Sequence, residues 1–155
     1  MSATAARPRS HPLERLVAMA NYGLMIAAPF TLNTLGFVAV GIGYARRGHA
    51  DPITRSHYDH QIRSFWMDLL MVGLGFVCGS GALAAGFGAV LEDFLQSAGV
   101  KLPWSYDPVH IGIGAIGLLV AWALCWAIGL GGLLIGSIIG ALRLASGLPA
   151  GKAHK

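Results

Sequence analysis

Charged residues are scarce in this chain. Of its 155 residues only 12% are Asp, Glu, Lys or Arg, whereas 55% are hydrophobic and the mean hydropathy is +0.62. Soluble domains carry about 25% charged residues. Because the apolar residues also occur in long runs, the composition excludes an ordinary soluble domain and predicts a protein that folds in a lipid bilayer.

The sequence also lacks the patterns of common active sites. Cys78 and Cys125 stand alone inside apolar runs, without the spacing of a metal site. No Ser-His-Asp order, pair of buried carboxylates or phosphate-binding lysine loop is recognisable. Residues 112–117 match GxGxxG, but a dinucleotide site needs a strand before it and a soluble βαβ unit. We therefore predict that the protein is not an enzyme.

The net charge of +4 predicts membrane contact and not nucleic-acid binding. The cations cluster beside the apolar runs and have no aromatic side chains interleaved with them, as a nucleic-acid interface would. We expect them to set membrane orientation and to contact anionic lipids, so that the lipid bilayer is one partner.

Three apolar blocks cover most of the chain, at residues 16–44, 65–90 and 111–142. Each exceeds the roughly 20 residues that a membrane-spanning helix needs. They predict an all-α integral membrane protein with one transmembrane helical domain over residues 14–145. The flanks, residues 1–13 and 146–155, are predicted to be a disordered N-terminal tail and a flexible C-terminal tail.

The first block is too long for one simple span. A helix over it would measure about 43 Å, against roughly 30 Å of hydrocarbon. Pro29, Thr31, Asn33 and Thr34 at its middle favour a turn. The block is therefore either one kinked helix or a hairpin of two short helices, which gives three to four membrane helices in all.

The distribution of cations favours the hairpin. With three simple spans, seven Lys and Arg residues lie on one side of the membrane and four on the other; with a hairpin the division is ten to one. Cations accumulate on the cytoplasmic side of bacterial membrane proteins. We therefore predict a multi-pass protein of the bacterial inner (cytoplasmic) membrane with both termini in the cytoplasm.

A polar stripe enters the second block. At 100° per residue, several polar side chains share one face of a helix: His57, Gln61, Ser64 and Asp68, with His60 beside them. An ionisable side chain at such depth usually faces the protein interior or water. The stripe predicts either a proton, ion or ligand path, or a polar face that packs against the turn of the first block.

The same histidines suggest two weaker alternatives. His57, His60 and Asp68 could ligate a metal, but no further ligand cluster follows, so we predict no metal site. A haem or chlorin could be held by His57, His60 or His110, although the chain has no c-type attachment motif. No cofactor is predicted.

The last block carries a glycine series, Gly132, Gly136 and Gly140, on one helix face. This GxxxG spacing allows helices to approach closely within a membrane. It predicts helix packing, either inside the chain or with another subunit.

One motif resembles a known family. After Tyr44-Ala45-Arg46-Arg47 and a spacer comes a segment that is similar to the pattern of small bacterial membrane proteins of unknown function, related to Tic20-like and magnetosome MamF/MmsF-like proteins. The matching residues are Arg55, Ser56, His57, Tyr58, Gln61, Arg63, Phe65 and Trp66. His60, Ser64 and Asp68 depart from that pattern. The resemblance covers about residues 16–90 and implies a multi-span membrane protein without established chemistry.

Three hypotheses for function follow. The first is a non-catalytic assembly or accessory subunit that packs against itself or a larger membrane complex. The second is a small transporter or channel component that uses the stripe from His57 to Asp68. The third is a cofactor-ligating subunit of an energy-transducing complex.

Overall fold

The computed structural model describes residues 12–100 and 108–151. Within these ranges every regular element is helical: α1 (Pro12–Ala27), a 3-10 turn (Ala28–Thr31), α2 (Thr34–Arg46), α3 (Pro52–Ser97) and α4 (Pro108–Ala145). The prediction of an all-helical protein is confirmed. Three of the four α-helices begin with proline, whose missing amide hydrogen would have no helical partner at that position.

The first apolar block forms two helices, α1 and α2, joined by the 3-10 turn. The chain reverses at Leu32 and Asn33, which both have left-handed backbone angles, with φ of 49° and 63°. Asparagine tolerates this conformation, whereas leucine is strained by roughly 1–2 kcal/mol. The turn therefore lies where the polar cluster of the sequence indicated it.

Contacts along α1 and α2 show that the two helices run antiparallel. Glu14 near the start of α1 forms an ion pair of 2.7 Å with Arg46 at the end of α2. Nearer the turn, the Asn21 side chain donates a hydrogen bond of 3.0 Å to the carbonyl of Ala39. We call this element the α1–α2 hairpin.

Two helices are long and apolar enough to cross a membrane: α3, and α4 over Gly112–Ala145. Only 11% of the apolar window of each is buried inside the protein, unlike the core helix of a soluble protein. By contrast, α1 and α2 reach only about 24 Å and 20 Å, short of the ~30 Å hydrocarbon core. The prediction of three to four spans is therefore not confirmed.

The chain divides into two compact units. The first contains the residues up to Asp68 and those from Leu130, and the second is Leu69–Gly129. In the first unit each helix buries one stripe at spacings of three and four residues. The stripes are Ala18, Asn21, Tyr22 and Met25 on α1; Gly36, Ala39, Val40 and Gly43 on α2; Thr54, His57, Tyr58, Gln61, Ile62, Phe65 and Asp68 on α3; Leu133, Ser137, Gly140 and Leu144 on α4.

In the second unit, glycines of α3 face tryptophans of the antiparallel α4 segment. A Cβ built on Gly75 would lie 2.8 Å from the Trp126 ring, and one built on Gly79 would lie 2.9 Å from the Trp122 ring. These distances are shorter than real Cβ contacts, so glycine is required for the indole rings to lie against the α3 backbone.

The glycine series of α4 yields a test of this packing. A Cβ on Gly140 would overlap the Tyr22 phenol, whereas one on Gly132 would meet no atom within 4 Å. We expect Gly140→Ala to destabilise the protein by about 1–3 kcal/mol through overpacking. Thermal unfolding in detergent, followed by tryptophan fluorescence, measures the effect.

Gly132→Ala is the matched control. Because alanine favours a helix over glycine by about 1 kcal/mol, this variant should unfold at the wild-type temperature or above it. Equal unfolding temperatures for the two variants would contradict the packing described for Gly140.

Candidate functional site

The structure places the polar stripe of α3 inside the first unit. His57, Gln61 and Asp68 are 0%, 1% and 2% exposed, whereas His60 and Ser64 are half-buried. The side chains of the stripe contact α1, the turn of the α1–α2 hairpin and α4.

Gln61 joins three helices. Its side-chain nitrogen donates to the carbonyl of Ala18 in α1 at 3.2 Å, and its side-chain oxygen accepts a 2.7 Å hydrogen bond from Asn21. Asn21 in turn donates to Ala39 of α2. One buried amide pair therefore links α3 to both helices of the hairpin.

His57 links α1 to the chain beyond α4. Its Nε2 lies 2.8 Å from the carbonyl oxygen of Leu148, which can only accept, so Nε2 carries a hydrogen. Its Nδ1 lies 2.9 Å from the Tyr22 hydroxyl. In the neutral imidazole Nδ1 then accepts the hydrogen bond that Tyr22 donates, and both ring nitrogens have partners.

The end of α4 contacts the start of α1, and the segment after it contacts the start of α3. Arg15 donates hydrogen bonds to the carbonyls of Leu144 at 2.6 Å and Ala145 at 2.5 Å, which satisfies two carbonyls at the end of α4. The Ala150 amide donates to the Ser56 hydroxyl at 3.1 Å. The described part of the predicted C-terminal tail, residues 146–151, is thus hydrogen-bonded to the helices.

Asp68 contacts the turn of the hairpin. The Asn33 side-chain nitrogen donates to its Oδ2 at 3.0 Å. Asp68 Oδ1 and Asn33 Oδ1 are both buried and have no hydrogen-bond partner among the described residues. This pair is the least satisfied polar contact of the stripe.

One member of the glycine series, Gly136, faces the same stripe, and Gly140 faces Tyr22 of α1. The position of a Cβ on Gly136 lies 3.8 Å from His60 Nε2 and 3.9 Å from Ser64 Oγ, and His60 Nε2 is 3.4 Å from the Gly136 carbonyl. With Gly140 against Tyr22, these two glycines contact side chains of their own chain. Gly132 is exposed.

The remaining motif residues divide between interior and surface. Tyr58 and Phe65 are buried, and a Cβ on Gly36 would lie 2.5 Å from the Phe65 ring. Arg55, Arg63 and Trp66 are exposed. The Trp66 indole donates to the Tyr44 hydroxyl at 3.3 Å, which gives the pair of amphipathic rings that is typical of a membrane interface.

An apolar groove lies on the outer surface of the second unit. It has a volume of about 360 Å³ and is lined by Phe76, Gly79, Ser80, Leu83, Leu119 and Trp122. The Ser80 hydroxyl bonds to its own helix at the Val77 carbonyl, so the groove presents an apolar wall. We call it the Ser80 groove.

Sequence reasoning missed three residues of the site. Asn21 and Tyr22 lie within the first apolar block, which was analysed only as a helix-forming run, and Asn33 was interpreted only as a turn residue. The available signal was the position of Asn21 three residues after Ala18 and four before Met25, on the one apolar face that α1 buries. A polar residue on such a face predicts a buried partner.

No group of three or more metal-ligating side chains occurs among the described residues. His57 has no free ring nitrogen for a haem or chlorin, because both nitrogens are hydrogen-bonded. His110 lies outside the residues whose side chains the structure describes.

No family model, curated protein or solved structure matches this chain. The resemblance of residues 55–66 to the Tic20-like and MamF/MmsF-like proteins therefore stays a prediction.

The link through Gln61 gives a test of the site's structural role. Gln61→Leu removes the donor to Ala18 and the acceptor for Asn21 while it preserves much of the volume. We expect a loss of about 1–3 kcal/mol in the free energy of unfolding, measured by denaturant titration in detergent. The same change at exposed Gln96 is the control; an equal effect at both positions would refute the role of Gln61.

Proposed function

We propose that this protein is a non-catalytic subunit of the bacterial inner membrane that works by packing against a membrane partner, either a second copy or a larger complex. The observation that carries the proposal is the arrangement of its side chains. The polar stripe is turned toward its own chain, while large apolar side chains of α3 and α4 face outward.

The hydrogen bonds of the stripe favour this proposal over transport. A path for an ion or solute needs polar atoms that face water or the solute. Instead, His57 and Gln61 are fully buried and bonded to Tyr22, Leu148, Ala18 and Asn21. A ligated haem or chlorin has no support at His57 for the reason given above.

The Ser80 groove is the surface that we propose for the partner. Helices in membranes associate where small residues allow close approach, because lipid removes the hydrophobic drive. Gly136 and Gly140 contact their own chain, so they offer no free surface for another helix. Ser80 is a small side chain in a groove of about 360 Å³ whose other side chains are large and apolar, which suits a side-chain ridge of a second helix.

Filling the groove tests the proposal. Ser80→Phe should reduce association several-fold, because the added ring occupies the groove while Ser80 itself makes only a local hydrogen bond. Co-purification of tagged with untagged copies, and the size of the complex in mild detergent, report association. Unfolding temperature shows whether the variant still folds.

Leu124→Trp is the control, since Leu124 is 56% exposed in the same unit and does not line the groove. It should leave association unchanged. A wild-type protein that is a lone monomer in bilayers, or a Ser80→Phe variant that associates normally, would refute the proposal.

Contacts in the first unit support a common side for both termini. The start of α1 and the end of α2 meet at the ion pair of Glu14 with Arg46, and Arg15 reaches the end of α4. Cations therefore gather where these helix ends meet, which under the positive-inside rule is the cytoplasmic side. We propose that the α1–α2 hairpin enters the membrane from this side and turns back within it.

Cysteine labelling tests this topology. In a chain with Cys78→Ala and Cys125→Ala, an impermeant maleimide added to spheroplasts should label Val100→Cys but not Gly48→Cys. Gly48 lies in the connector between α2 and α3, and Val100 follows α3 at the other end. After permeabilisation both should react. Labelling of Gly48→Cys in intact spheroplasts would contradict the proposed orientation.

A further inference from the structure

The contact between Asp68 and Asn33 has two acceptors that lack a donor. Asp68 is 2% and Asn33 is 9% exposed. Their Nδ2 to Oδ2 hydrogen bond uses one oxygen of the carboxylate, and Oδ1 of each residue has no partner among the described residues. A buried acceptor without a donor typically destabilises a fold by about 1–3 kcal/mol.

The negative charge of Asp68 also has no counterpart in the described part of the chain. The two ion pairs found there join Glu14 with Arg46 and Arg47 with Asp59. Asn33, on the turn that faces Asp68, is neutral. A buried carboxylate without a cation is strongly unfavourable, so such groups pair with a positive charge or take up a proton.

The side chain of Asn33 is directed toward Asp68 and not toward its own helix. Asn33 is the N-cap residue of α2, yet its side chain makes no capping hydrogen bond. The Thr31 hydroxyl accepts from the Leu35 amide at 3.4 Å instead. Loss of an asparagine cap usually destabilises a helix by about 1 kcal/mol. Asn33 and the preceding Leu32 both have left-handed backbone angles.

From these observations we infer that Asp68 and Asn33 form a binding site for one monovalent cation, either a proton or an alkali-metal ion. A proton on Asp68 Oδ1 converts an acceptor into a donor, and an alkali ion is coordinated by oxygen lone pairs of the kind that both residues leave without a partner. Either cation neutralises the charge. Occupancy then stabilises the contact between the hairpin turn and α3, whether or not the protein assembles through the Ser80 groove.

Binding to the folded state alone raises stability with cation concentration. We would measure unfolding temperature in detergent at constant ionic strength, first replacing choline chloride by NaCl or KCl at fixed pH, then varying pH in choline alone. If the site binds an alkali ion, the unfolding temperature should rise with the concentration of Na⁺ or K⁺. If the site binds a proton, the unfolding temperature should rise as pH falls, because the folded state binds one more proton than the unfolded state.

Asp68→Asn separates this site from other titrating groups, among them His57 and His60 on the same helix. Its side-chain nitrogen supplies a donor without a charge, so the variant should lose the cation response while folding normally. Asp59→Asn is the control, because Asp59 is an exposed carboxylate on the same helix, paired at 3.6 Å with Arg47. It should keep the wild-type response.

The same response to Na⁺, K⁺ and pH in wild type and Asp68→Asn would overturn the inference. If Asp68→Asn does not fold, infrared difference spectra of the wild type and Asn33→Ser provide the second readout. A carboxyl band that changes with Na⁺, K⁺ or pH in the wild type and is altered in Asn33→Ser supports the site. Identical spectra in the two proteins would likewise overturn it.

Discussion

The first unit depends on the buried hydrogen bonds of Gln61. In a bilayer, where we propose that this chain lies, helices gain little hydrophobic free energy from association, which therefore relies on close packing and on polar bonds between them. Gln61 supplies such bonds to α1 directly and to α2 through Asn21. The two short helices, neither of them long enough to cross a membrane, are thereby held against the long helix α3.

Small residues let the helices approach closely enough to form these polar bonds. Gly36 and Gly43 let α2 lie against Phe65 and Ile62, since a Cβ on either glycine would come within 2.5 Å or 3.2 Å of those side chains. Gly140 gives the same freedom to the Tyr22 phenol, which then reaches His57. Close packing and hydrogen bonding therefore depend on each other in the first unit.

The fold was partly predictable because its signals are local. The apolar blocks predicted that helices occur there but not their ends, since α3 begins at Pro52, well before the second block. Pro29 with its polar neighbours predicted the turn, and the 100° period predicted the buried face of α3. The partners of that face could not be predicted, because they depend on how distant helices meet. The sequence around Tyr22 and around Leu148 contains no pattern that indicates their contacts with His57.

The turn at Leu32 and Asn33 combines three unfavourable features, which concern backbone conformation, helix capping and the burial of charge. A leucine takes a left-handed conformation, the side chain of an N-cap asparagine makes no capping hydrogen bond, and a carboxylate is buried beside it without an ion pair. Each of these destabilises the fold, and sequences keep such conflicts mainly where a ligand or a conformational state compensates for them. The cation that we propose would neutralise the charge of Asp68 and supply a partner where the free oxygens have none.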